Sequence, residues 1–205
     1  MPNDPAFQRR VMMAAFDLLD APDGPLLVDY AEEAPEETAA FDEDAMAGMV
    51  CPVDFPKPAD PDAPTSDIGV ALMKEIATLA PWYDLAIRTR GRTTVGPSGL
   101  EMGDAGKYLA AFLENQSTPA PRNDMPAGRV LKLAYEDLKA YYAESVTAQP
   151  GAWSSRKVEN WLFGETVLGK ALWTLRDICR TSDDDYHQYL GRNSIVPDRQ
   201  INPAG

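Results

Sequence analysis

Proline and negative charge crowd into the first third of this sequence and stop abruptly near Thr65. Ten of the 18 prolines fall within residues 1–67, together with 16 acidic and only 3 basic side chains, a local net charge of −13. Residues 68–205 carry 16 of each sign, so the whole formal charge of −13 belongs to the leading segment. The stretch CPVDFPKPADPDAP, residues 51–64, cannot be helical, because each proline removes a backbone donor and clashes with the preceding turn. It reads as an extended connector.

The leading segment nevertheless contains apolar islands: VMMAAFDLL (11–19), PLLVDY (25–30) and AAFDEDAMAGMV (39–50). They are too small to form a core together, yet two have helical spacing, as in Val11, Met12, Ala15, Phe16 and Leu19. Short anchors separated by charge suit a segment that orders only against a surface, because alone it cannot offset its backbone entropy. The expected partner-binding residues are Phe16, Leu19, Leu26, Leu27, Tyr30, Phe41, Met46, Met49 and Phe55. The surface they meet is either the chain's own helical domain or another chain.

From Ser66 onward the period becomes helical. Ile68, Leu72, Ile76 and Leu79 share a face, and Pro81 is expected to open a second short helix. Tyr108, Leu109, Phe112 and Leu113 mark the next helix, over 103–115. Asp124 reads as the N-cap of a long helix whose stripe is Leu131, Ala134, Tyr135, Leu138, Tyr141 or Tyr142, and Ser145. A second long helix is expected over 154–180, antiparallel to it, and a short turn of helix over 183–190. The fold class expected is all-α: a bundle of four to five helices with an extended acidic, Pro-rich N-terminal arm carrying short helices. The expected division is 1–65 arm, 66–190 helical domain, and 191–205 irregular tail.

Composition excludes several function classes. No run approaches the roughly 18 apolar residues of a membrane span. The negative field disfavours nucleic acid and anionic membrane surfaces and favours basic partners. Arg9 and Arg10 before an apolar run have the outline of a twin-arginine export signal, but Asp17 interrupts it, so the expectation is an amphipathic helix in a cytoplasmic protein. Cys51 and Cys179 are read as reduced thiols, with Cys179, beside Arg176 and Arg180, the more reactive.

Three features bear on chemistry. Glu165 falls within the apolar stripe of the expected helix 154–180, where a carboxylate needs a donor such as Tyr135, Tyr142 or an arginine. The loop RTRGRTTVGPSG gathers Arg88, Arg90, Arg92, Thr93, Thr94 and Ser98, the parts needed to grip a carboxylate or phosphate, although its glycines match no phosphate-loop spacing. The single histidine, His187, excludes a di-iron carboxylate site built on paired Glu-x-x-His units, and no metal or cofactor is expected. The functional expectation is an accessory or interaction protein that binds a protein partner or forms a homo-oligomer. The alternative is an enzyme or ligand-binding protein holding an anionic small molecule between loop 88–99 and an interhelical pocket near Glu165.

Overall fold

A computed structural model of the chain describes residues 4–24, 26–32, 65–151 and 153–202, with backbone alone at 65–67. Every regular element among them is helical: α1 (Pro5–Asp17), a 3-10 turn (Leu18–Asp20), α2 (Thr65–Arg90), α3 (Met102–Glu114), α4 (Ala127–Val146), α5 (Ser155–Glu165), α6 (Val167–Arg180), α7 (Asp185–Asn193) and α8 (Asp198–Ile201).

The core gathers around α4. Leu131, Ala134, Tyr135, Leu138, Tyr141, Tyr142 and Ser145 recur every three or four residues and are all buried, as their spacing predicts. α4 meets α2 and α3 most extensively, and α5, α6 and α7 to a lesser degree. α2 contributes Ile68, Leu72, Ile76 and Leu79, and α3 contributes Tyr108, Leu109, Phe112 and Leu113. α6 adds Leu168, Leu172 and Leu175.

Four sequence expectations are corrected. Pro81 does not start a new helix but lies inside α2. Pro81 and Ala77 are both exposed, so the Ala77 carbonyl that loses its donor belongs to the wet side, while Trp82 and Ala86 carry the buried stripe onward. Asp124 does not cap α4, whose N-cap is Pro126. Its carboxylate instead accepts from Arg122, at 2.9 Å from Nε and 2.6 Å from Nη2. The helix expected over 154–180 is two helices that meet at Thr166. Finally, residues 191–202 are not an irregular tail. Asp184 caps α7 by accepting from the His187 amide at 2.8 Å, α7 runs on to Asn193, and Ile195 and Val196 enter the core.

Residues 4–32 form a small unit of their own. Asp4 caps α1 by accepting from the Phe7 amide at 2.9 Å. Beyond the 3-10 turn, residues 26–32 run without regular structure, and Arg10 grips the Glu32 carboxylate through Nε at 3.0 Å and Nη2 at 2.8 Å. The Phe7 and Tyr30 rings meet edge to face at 6.2 Å. No residue of α1 is buried. Phe16, Leu19, Leu26 and Leu27 are exposed, Leu27 to 98%. Phe41, Met46, Met49 and Phe55 lie outside the described residues.

Candidate functional site

The buried carboxylate exists, but it is Glu75 of α2. At Thr166 the backbone turns extended, with φ −99 and ψ 157, which separates α5 from α6. The Thr166 hydroxyl donates to the Leu162 carbonyl at 2.7 Å and accepts from the Gly169 amide at 2.9 Å, closing both helix ends with one side chain. Gly169 is required there, because a Cβ would be driven into the Leu162 carbonyl oxygen and the Phe163 Cα. The amides of Val167 and Leu168, orphaned at the start of α6, donate to Glu75 at 3.1 and 3.2 Å. The Tyr142 hydroxyl donates to the same carboxylate at 2.7 Å. Glu75 is 5% exposed. Burial pushes its carboxyl above the ordinary value, against the pull of those three donors. Burial also drives the Tyr142 phenol far up, and the neighbouring carboxylate adds to the effect.

Glu165, the residue the sequence singled out, ends α5 exposed to solvent. It lines a shallow groove of about 480 Å³ with Trp153, Arg156, Lys157 and Trp161, and neither Tyr135 nor Tyr142 reaches that groove. Tyr135 is fully buried and shares a 2.7 Å hydrogen bond with Ser194.

The arginine loop grips carboxylates of its own chain. Glu144 of α4 accepts from the Thr94 amide (2.8 Å), the Thr94 hydroxyl (2.7 Å) and the Thr93 hydroxyl (2.8 Å). Burial pushes the Glu144 carboxyl up, but the hydrogen bonds from Thr94 and Thr93 outweigh it and hold it below the usual range. Two turns earlier on the same helix, Asp137 accepts from the Ser98 amide at 2.9 Å and the Ser98 hydroxyl at 2.5 Å, with both side chains buried. Arg122 closes the loop from outside by donating to the Ser98 carbonyl. Arg90 donates to the Thr147 hydroxyl at 2.7 Å, whereas Arg88 and Arg92 stand exposed. Of the six loop residues singled out, four are therefore committed to α4 or its C-terminus.

An open groove of about 570 Å³ lies between α4 and α5. Ala140, Ala143, Val158, Leu162, Phe163 and Trp153 supply its apolar lining. Lys139 lines it as well, bonded to Glu136 at 3.2 Å and to the Ser194 carbonyl at 3.1 Å, with its ammonium 5.0 Å from the Tyr135 ring centroid. Burial lowers the Lys139 ammonium from its usual value, against the attraction of Glu136.

Cys179 is fully buried, and burial pushes its thiol up to about 11, with Asp184 adding to the rise. That is the reverse of an activated thiol. His187 is partly buried, with its ring 5.6 Å from that of Phe112. Among the described residues, no group of three or more His, Cys, Asp or Glu side chains is placed to hold a metal ion, and no helix is long and apolar enough to cross a membrane.

Sequence reasoning missed Glu75 and Asp137, although both carry a signal. Each sits at the i+3 position of its helix's apolar stripe, Glu75 between Leu72 and Ile76 and Asp137 between Ala134 and Leu138. No family model, no curated protein and no solved structure matches this chain.

Proposed function

We propose that the chain is an accessory or interaction protein in which residues 1–65 act as an acidic docking arm carried by the helical domain that starts at residue 66. The observation behind this reading is the set of exposed apolar side chains among the described residues of 4–32: Phe16, Leu19, Leu26 and Leu27. An amphipathic helix that spends its apolar face on water is suited to a groove on another molecule. The charge of −13 in the leading segment favours a partner whose groove is rimmed by basic side chains.

The alternative, a small anion held by loop 88–99, is weaker on chemical grounds. Thr93, Thr94 and Ser98 already spend their donors on Glu144 and Asp137. That leaves Arg88 and Arg92, which are exposed and line neither of the two grooves described above.

The test uses the full chain as bait in its native extract, beside a Phe16→Glu/Leu19→Glu/Leu27→Glu variant. Burying a Phe or Leu side chain is worth about 1.5–3 kcal/mol, roughly tenfold or more in affinity. A co-purifying protein that the variant loses is the expected result. Equal recovery by both baits, or no specific protein with either, overturns the reading.

A further inference from the structure

Two apolar surfaces of this chain face each other's chemistry without meeting. The first is α1 with the 3-10 turn that follows it, where Met12 and Phe16 stand at i and i+4 on the helix, Leu19 follows in the turn, and the three are 56%, 54% and 79% exposed. A pair at i and i+4 followed by an apolar residue at the helix end suits a helix lying in a groove. The second is the groove between α4 and α5, with Ala140, Ala143, Leu162 and Phe163 among its lining.

The charged side chains around this groove are already bonded within the chain. Glu144 serves Thr93 and Thr94, Glu136 serves Lys139, Glu159 accepts from Gln200 at 3.1 Å, and Arg90 donates to Thr147. Such a groove has apolar contact to offer and little uncommitted charge, so it fits an apolar helix face better than a small polar ligand. Arg90 lines the groove, and Arg88 and Arg92, close to it in sequence, are exposed. α1, in turn, leads into Asp17, Asp20 and Asp23. Charge thus favours one direction of entry, with the C-terminal end of α1 toward the arginines. In the single chain α1 rests on its own 3-10 turn, Tyr30 and Glu32, and its apolar face stays uncovered.

We infer that the groove between α4 and α5 receives α1 and the following 3-10 turn of a second copy of this chain, with Met12, Phe16 and Leu19 in the groove and Asp17 and Asp20 toward Arg88 and Arg92. Reciprocal exchange fills both grooves and closes a two-fold dimer with no surface left to propagate. The 32 residues from 33 to 64 could span up to about 105 Å, so the connection does not restrict the exchange. This inference rests on the docking role proposed for residues 4–32 and adds the identity of the receptor.

Sedimentation over a concentration series with the full chain tests it, using wild type, Phe16→Glu and Ala143→Gln. A disulfide trap accompanies them: Leu19→Cys with Ala143→Cys in a Cys51→Ser background. The expected result is a wild-type dimer, a dissociation constant raised at least about tenfold by each single substitution, and a trapped species of twice the chain mass. A wild type that stays monomeric at every concentration, or a trap that closes within one chain, overturns the inference. Weakening by Phe16→Glu but not by Ala143→Gln removes the groove as receptor while leaving the docking role of residues 4–32 intact. Should Ala143→Gln lower the melting temperature, the mass of the trapped species decides alone.

Discussion

Replacing Glu75 tests the internal logic of the fold. Its carboxylate accepts from the Val167 amide, the Leu168 amide and the Tyr142 hydroxyl, all on the inner side of the bundle. Glu75→Ala leaves these donors unpaired, and a buried donor without a partner costs about 1–3 kcal/mol. Three such neutral donors, less the recovered desolvation of one carboxylate, give a net loss of about 2–5 kcal/mol. Glu75→Gln keeps one acceptor and lets Tyr142 reverse its hydroxyl, which limits the loss to about 1–2 kcal/mol. The pH dependence carries a sign. Burial raises the folded-state pKa of Glu75 above the ordinary 4.5. The stability due to its protonated form is therefore complete below about 4.5 and is lost as pH rises through the folded value. The stability gap between wild type and Glu75→Gln should accordingly narrow as pH rises from 4.5. Urea unfolding followed by circular dichroism at pH 4 to 8 reads both effects. An unchanged stability for Glu75→Ala refutes the capping role. A gap that widens with pH means that the amides at the start of α6 outweigh burial, and refutes the direction of the shift.

Two glycines in one region should respond oppositely. Gly169→Ala forces a Cβ against the end of α5 and is expected to cost about 1–3 kcal/mol, whereas Gly164→Ala, with open space around it, should gain up to about 1 kcal/mol; thermal unfolding compares them. Asp137→Asn leaves the Ser98 donors with one weaker acceptor and should lower stability by about 1–2 kcal/mol while speeding exchange of the Ser98 amide, read by hydrogen exchange. Cys179, in a Cys51→Ser background, should react with a thiol reagent orders of magnitude more slowly in the native protein than in urea, and equal rates contradict its burial.

Much of the helical domain was legible because its helices have one wet and one dry face. The α4 stripe and the α3 cluster follow directly from spacing, since a period near 3.6 leaves little choice of which side to bury. The break at Thr166 was not legible. Gly164, Thr166 and Gly169 weaken the helix locally without fixing where it stops, and the break is held by Glu75, more than 90 residues away. Pro81 misled in the opposite direction, because a proline on the wet face of a long helix costs less than the burial of Trp82 and Ala86 repays. Ile195 and Val196 looked like part of a polar tail, and only the tertiary structure places them against the core. The buried carboxylate expected at Glu165 is not there: Glu165 is exposed, and Glu75 is the buried one. A carboxylate in an apolar stripe meeting Tyr142 was the right motif, but hydrophobic periodicity laid across a hidden helix break put it at Glu165 instead of Glu75. The loop reads as a grip for an anionic ligand; in the structure Thr93, Thr94 and Ser98 hold Glu144 and Asp137 of α4 instead, neighbours that no local pattern could supply.

Amide hydrogen exchange of residues 5–19 in the full chain, dilute and alone and then concentrated or with a co-purified protein, measures most directly whether this helix is a docking element. The expected result is rapid exchange in the dilute chain, where no α1 residue is buried, and protection increased at least about tenfold once a second molecule covers Phe16 and Leu19. Strong protection in the dilute monomer, or exchange that no concentration and no co-purifying protein slows, contradicts it.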